Sequence, residues 1–226
     1  VITVFLVNYK REGNLKQIVD SAKANKHIEE IVIFNNDPDT KLEIAGATVI
    51  NSGKNWYCWT KYIFPQLVKT RWVMSIDDDV MLQENTVELF LELAEKNEEG
   101  IYGFFGINLK DGSYSKGDRV HTKDIVGVEK VDILLGRVIF CKPSKLSVAS
   151  YYRSLVPDYQ SKDFLFNESE DIVLSMANTE EGHSNYVVGL TKGAGYTNLP
   201  ECKRALSKRV RHMKNRDAAV KEMLLL

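Results

Sequence analysis

The sequence predicts an α/β protein built on a mixed, mostly parallel sheet flanked by helices. Residues 1–82 alternate apolar runs with amphipathic stretches in the order strand, helix, strand, strand, helix, strand, which is the rhythm of such a sheet. The runs Val1–Val7 and Trp72–Ile76 are continuously apolar, as strands covered on both faces are. Three polar loops, Asn8–Arg11, Asn35–Asp37 and Asp77–Asp79, fall at the carboxyl ends of these strands, the edge where open α/β sheets bind ligands.

The elements follow in order. Val1–Val7 is a central strand, and Asn8 to Asn14 a polar loop. Leu15, Ile18, Val19 and Ala22 recur at helical spacing and predict an amphipathic helix to Ala24. Ile28–Phe34 is a second strand, stopped at Pro38, and Ala47–Ile50 a short third. A helix over Trp56–Val68 leads into the strand that ends at Asp77. Beyond it, the spacing predicts a helix over Glu84–Lys96 and one strand over Ile101–Ile107. Lys110–Thr122 reads as a turn-rich or mobile loop, from Asp111-Gly112 and Lys116-Gly117-Asp118. Val126–Cys141 holds two strands around Gly136, and a helix starts near Ser144. Ser169 is placed to cap a helix with Glu170 and Asp171 in its first turn. Tyr186–Leu190 is the last strand, followed by a glycine-bearing loop over Thr191–Tyr196. From Glu201 a basic helix carries Lys203, Arg204, Lys208, Arg209, Arg211, Lys214 and Arg216. With no repeat, low-complexity tract or linker, residues 1–226 read as a single domain, halved at 1–82 and 83–226.

Composition narrows the function classes. A formal net charge of -1 gives no bulk electrostatic argument for nucleic acid or an anionic membrane. No apolar run approaches the roughly 18 residues that span a bilayer. No signal peptide is visible, and Val1 already lies in a strand. Cys58, Cys141 and Cys202 form neither a zinc pattern nor a disulfide framework and favour a reducing compartment. A glycan on the sequon Asn167-Glu168-Ser169 would obstruct the neighbouring acids, which also argues against a secretory lumen.

The triplet Asp77-Asp78-Asp79 is the chemical focus. Adjacent carboxylates at a buried strand end repel one another and resist desolvation, and a hard divalent cation relieves both. Alternation along an extended chain would set Asp77 and Asp79 on one side and Asp78 on the other. Mg²⁺ or Mn²⁺ held by Asp79, with Asp77, would keep positions open for phosphate oxygens. An acidic turn capping the helix near Glu84 is the plainer alternative.

A strand ending in three aspartates resembles the Asp-X-Asp motif of GT-A glycosyltransferases, the nucleotide-diphospho-sugar transferase fold. Val7-Asn8-Tyr9-Lys10-Arg11 resembles the first-strand loop of exostosin-like glycosyltransferases, and Ile33-Phe34-Asn35-Asn36 their second-strand ending. Ile133-Leu134-Leu135-Gly136 with Val138-Ile139-Phe140 is similar to their strand beside the reacting sugar. Glu170-Asp171-Ile172 is similar to the acidic pair of exostosin-like and family-2 enzymes. Order and spacing match over nearly the whole chain, with a narrower likeness to the N-terminal domain of chlorella-virus-encoded glycosyltransferases. Two departures stand out. The second-strand loop lacks an Asp-Asp-Gly-Ser-like run, and Asn55 is followed by Trp56, Tyr57, Cys58 and Trp59, with only Lys61 basic.

The resemblance implies a metal-dependent transferase moving a hexose or deoxyhexose from a UDP-sugar to a glycan or glycoconjugate hydroxyl, with retention slightly favoured. It implies Mn²⁺ or Mg²⁺ at Asp79 and Asp77, and nucleotide-sugar contacts from Asn8, Arg11, Asn36, Asp37, Asn55, Asp77, Asp78, Gly136, Lys208 and Arg209. Asp171 and Glu170 would be catalytic. Each also has a plainer reading. Arg11 is a surface charge, Asn36-Asp37 a turn before Pro38, Gly136 a bulge or turn, and Glu170-Asp171 helix-start charge. Lys208, Arg209 and Arg211 are a solvated face, Trp56, Tyr57 and Trp59 core, and His183 and His212 surface groups rather than metal ligands. Competing functions are an inverting family-2-like transferase with Asp171 as base, a nucleotidyltransferase, and a non-catalytic nucleotide- or glycan-binding module. The first loop has only Gly13, which disfavours a nucleotidyltransferase phosphate loop. The location implied is cytoplasmic, or alternatively a catalytic fragment of a Golgi-luminal enzyme.

Overall fold

A computed structural model describes residues 1–158, 167–200 and 209–226. Strands β1 (Ile2–Asn8), β2 (Ile28–Asn35), β3 (Thr48–Asn51) and β4 (Trp72–Asp77) pair in parallel in the order β3-β2-β1-β4. Helix α1 (Glu12–Lys23) buries Leu15, Ile18, Val19 and Ala22, the apolar stripe of its sequence. The stretch expected as one helix over 56–68 is instead a 3₁₀ turn at Tyr57–Trp59, a single α-turn α2 (Thr60–Ile63) and a second 3₁₀ turn at Phe64–Leu67. Pro65 lacks an amide hydrogen and breaks the ladder there.

After β4 come β5 (Val80–Leu82), α3 (Thr86–Lys96), β6 (Ile101–Gly103), β7 (Phe105–Lys110), β8 (Ser113–His121), β9 (Val128–Val131), β10 (Ile133–Leu134) and β11 (Val138–Cys141). Then follow α4 (Pro143–Leu155), α5 (Glu170–Glu180), β12 (Asn185–Val188), β13 (Tyr196–Asn198) and α6 (His212–Met223). The main sheet has eight strands in the order β3-β2-β1-β4-β11-β6-β12-β9, so both halves of the sequence build it. β11 runs antiparallel to β4 and β6, and β12 runs parallel to β6.

Several expectations change here: Val126–Cys141 holds three strands rather than two, and β13 follows the strand expected to be the last. The run 101–107 divides at Phe104, with β6 in the main sheet and β7 in a small sheet with β8 and β10. The stretch 110–122 is a hairpin arm. Asp111 and Gly112 both take positive φ (52° and 67°), the turn whose twist matches the flanking strands. Charged residues face outward from β8 while Tyr114 is buried, so composition alone reads as a loop. The basic helix is described only from His212; its earlier part, with Lys203, Arg204 and Lys208, lies outside the described residues.

Apolar layers cover both faces of the sheet. One holds α1, α3 and an aromatic stack in which Phe140 packs on Trp72 (5.3 Å) and Phe90 (5.5 Å). The other holds Trp59, Tyr62, Leu146, Ala149, Ile172, Val173 and Val220 against Phe5 and Phe34. Each such fully buried side chain contributes about 2–3 kcal/mol. Together these layers fix the strand ends at one edge, where the polar loops gather.

Candidate active site

β1, β2 and β4 end in register, with Asn8 opposite Asn35 and Val7 opposite Asp77. Asn8 Nδ2 donates to Asn35 Oδ1 (3.0 Å), and Asn35 Nδ2 donates to Asn51 Oδ1 (3.0 Å). This amide ladder ties three strand ends together. Asn8 Oδ1 also accepts the Arg11 N–H (3.3 Å), and Lys10 between them takes the left-handed conformation (φ 62°). Asn8 is fully buried and bonded within the protein, and it shapes the loop that presents Arg11.

Arg11 pairs with Asp78, and its Nη1 lies 3.1 Å from Asp79 Oδ2. Tyr9 N–H donates to the other Asp78 oxygen (2.9 Å). Burial pushes the Asp78 carboxyl up to about 6 despite the Arg11 guanidinium beside it. Asp79 is also raised, by burial first and then by the Asp77 charge; Arg137 Nη2 sits 3.4 Å from its Oδ1. Asp77 turns to Lys61 of α2. The expected division, Asp77 with Asp79 against Asp78, therefore does not hold. β4 ends at Asp77, and Asp78-Asp79 form a turn in which two-residue alternation stops.

The opposite wall is built around Gly136, between β10 and β11. Its N–H donates to Asp171 Oδ2 (3.1 Å), and its carbonyl accepts from Lys61 Nζ (3.0 Å). Gly136 lies in the turn between the two strands, as its plainer reading has it, and a Cβ there would lie 3.0 Å from Glu170 Oε1, tight enough that the side chain would have to shift. Asp171 Oδ2 also accepts from Arg216 Nη2 (2.7 Å), while Oδ1 accepts the Ile172 N–H (2.9 Å). Both Asp171 oxygens are thus held inside the protein, a poor arrangement for a general base. Glu170 has Lys61 3.8 Å away, and burial together with Asp171 pushes its carboxyl up to about 8. Burial disfavours the charge on Lys61, but the acids around it, Asp77 foremost, more than offset that and hold it protonated. Ser169 precedes α5 but makes no capping bond; its hydroxyl is buried with no partner among the described residues.

The remaining candidates surround this core. Asn36 pins the aromatic loop, donating to Tyr57 O (2.8 Å) and accepting from Trp56 N–H (3.0 Å). Asp37 is buried beside Lys10 (3.7 Å) and receives the Asp39 N–H (3.2 Å). Asn55 accepts the Tyr57 N–H (2.7 Å). Trp59 is core, as its plainer reading has it, but Trp56 and Tyr57 are exposed, and Tyr57 sits at positive φ (59°). Arg209 pairs with Glu168 while its side chain stays half exposed, so both readings of it hold in part. His212 faces Glu168 at 3.8 Å and His183 faces Glu99 at 3.9 Å, so neither joins the acid triplet. Lys208 lies outside the described residues.

Among the described residues no three His, Cys, Asp or Glu side chains are arranged to cage a metal. Asp79 nonetheless suits a hard cation. It offers oxygen donors whose desolvation favours taking up positive charge, and two guanidiniums now hold that place. Such a site is completed by ligand oxygens and water.

Sequence reasoning passed over three residues as site members. Lys61 lies among Trp59, Thr60 and Tyr62, and a cation in so buried a run needs a carboxylate partner. Arg216 precedes Ala219, Val220 and Met223 by three, four and seven positions on the buried stripe of α6, which the basic composition concealed. Arg137 had no signal beyond its position next to Gly136.

A sheet of this order, with an acid triplet leaving its fourth strand, defines a GT-A glycosyltransferase fold. GalNAc-T7, solved with UDP, GalNAc and Mn²⁺, superposes with a TM-score of 0.63 at 11% identity, covering 90% of this chain and 44% of that one. TarS of S. aureus (residues 1–349), in complex with UDP-GlcNAc, gives 0.59 at 13% identity, covering 92% of this chain and 61% of that one. A second structure of TarS 1–349 gives 0.56 at 11%, covering 88% of this chain and 60% of that one. These likenesses fix the fold, and the chain spans about half the length of those proteins. The chain belongs to the glycosyl transferase family 64 domain family, which matches residues 1–224. No curated protein sequence matches it. Among the described residues no helix is long and apolar enough to cross a membrane.

Proposed function

We propose that this domain transfers a hexose or deoxyhexose from a UDP-sugar to a hydroxyl of a glycan or glycoconjugate. The observation that carries this reading is the meeting of Asp77–Asp79 with Gly136, Glu170 and Lys61 at one sheet edge, bridged by the Lys61 contacts to Asp77, Gly136 O and Glu170. Mn²⁺ or Mg²⁺ would be held by Asp79, with Asp77 beside it. When bound, it would neutralise charge developing on the departing diphosphate.

The protein's own groups have distinct tasks in this reading. Arg11, fixed by Asn8 and Asp78, supplies positive charge beside the phosphates. Asn36 and Asn55 hold the Trp56-Tyr57 loop against the base, while Asp37 lies at the same strand end. Gly136 admits the sugar ring to the backbone. Glu170, neutral at pH 7, donates a hydrogen bond to a sugar hydroxyl. Asp171 is a positioning residue that orients Gly136 and anchors Arg216. Arg209 approaches from the C-terminal side.

The same geometry supports the retaining reading over the inverting one. An inverting reaction needs a carboxylate base at the acceptor hydroxyl. Here one acid has both oxygens engaged and the other carries its proton. A UDP and Mn²⁺ titration followed by thermal unfolding tests donor binding, since a ligand that binds only the folded state must stabilise it. Stabilisation in the wild type and its loss in Asp79→Asn are expected. No response in the wild type would sink the donor-site reading. Product configuration by NMR tests retention, and an inverted anomer overturns that part. The free thiols of Cys58 and Cys141 support a cytoplasmic setting.

A further inference from the structure

We propose that Arg137 is an internal counter-cation that competes with the divalent metal for Asp79, and that metal entry leaves it held by the aromatic seat it already touches. This rests on the reading of Asp79 as the metal ligand. Both Asp79 oxygens face guanidiniums, but unequally. Arg11 is fixed through Asp78, Tyr9 and Asn8 at the end of β1, whereas Arg137 reaches Asp79 Oδ1 only at 3.4 Å and is one-third exposed. A divalent ion and a guanidinium on one carboxylate oxygen repel each other, and the loosely held partner is the one displaced.

Arg137 has somewhere to go. Its Nη2 already donates to Asn198 Oδ1 on β13 (2.9 Å). Its guanidinium carbon lies 5.1 Å from the Phe105 ring centroid and 5.8 Å from that of Tyr196. Those rings pack on each other at 5.2 Å, and Tyr196 and Phe105 both contact His121. A guanidinium over aromatic faces keeps favourable electrostatics without Asp79. Release therefore leaves no buried unpaired charge. Its backbone is fixed meanwhile, because Arg137 O accepts the Asp77 N–H (2.9 Å). Only the side chain needs to move.

The consequence is a metal affinity lowered by the protein itself. Partly exposed pairs of this kind are weak, so removing the competitor should tighten Mn²⁺ binding about three- to fivefold. The test is the Mn²⁺ dissociation constant of the full chain, read from the electron paramagnetic resonance of free Mn²⁺ at fixed ionic strength, with and without UDP. Arg137→Gln should bind more tightly by that factor, Arg137→Lys should stay within about twofold of the wild type, and Asp79→Asn should lose binding. Unfolding without metal checks that each variant folds. If Asp79→Asn loses Mn²⁺ while Arg137→Gln matches the wild type, the competition is overturned and the metal reading stands. If Asp79→Asn binds as the wild type does, both fall together.

Discussion

Glu170→Gln isolates the electrostatics of the cleft. Burial and the neighbouring Asp171 raise the Glu170 carboxyl from its ordinary 4.5 to about 8, with Lys61 and Arg216 opposing. In the unfolded chain the same group ionises near 4.5. Between these values the native state binds more protons than the unfolded state, so the contribution of Glu170 to stability is complete below pH 4.5 and is lost as pH rises toward 8. At about 1.4 kcal/mol per tenfold change in proton affinity, the full difference sets a ceiling of about 5 kcal/mol. Water entering the cleft as the carboxylate forms reduces this, and we expect about 2 kcal/mol. Glutamine keeps the shape and a hydrogen-bond donor but does not titrate. Urea unfolding of both proteins from pH 5 to 9 measures the effect. The stability of Glu170→Gln relative to wild type should climb by about 2 kcal/mol across that range and level off above pH 8. Parallel curves would mean that Glu170 ionises as an ordinary surface acid, and its assignment as a neutral donor would be lost. Donor hydrolysis at pH 7 gives an independent check, since Gln should preserve most of the rate and Ala should not.

Two further changes probe the other wall. Arg216→Met removes one partner of the buried pair with Asp171 and leaves that carboxylate uncompensated, so stability should fall by about 3–4 kcal/mol; thermal melting should show a drop of about 10 °C. Gly136→Ala sets a methyl 3.0 Å from Glu170 Oε1 and 3.6 Å from Lys61 Nζ. It should lower kcat/KM for donor hydrolysis at least tenfold (roughly 1.4 kcal/mol in the barrier) while shifting the unfolding midpoint little.

Much of the donor-side half was legible because its signals are local. Short apolar runs rich in β-branched residues mark covered strands, helical stripes mark their own buried faces, and three adjacent carboxylates at a strand end stand out on any chain. The amphipathic stripe of α1 and the strand that ends at Asp77 were fixed by residue order alone. What the sequence withheld depends on contacts between distant residues. The hairpin of β7 and β8 is stabilised by pairing across a two-residue turn and by one buried Tyr114, neither of which makes a charged segment look like sheet. The assignment of the acids was decided by partners from elsewhere in the chain: Lys61 for Asp77, Arg11 for Asp78, Arg11 and Arg137 for Asp79, and Arg216 for Asp171. A carboxylate's chemistry is set by what surrounds it in space. The sequence by itself predicted that acids would meet at one sheet edge, and tertiary structure alone decided which basic partner each of them faces and how deeply each is buried.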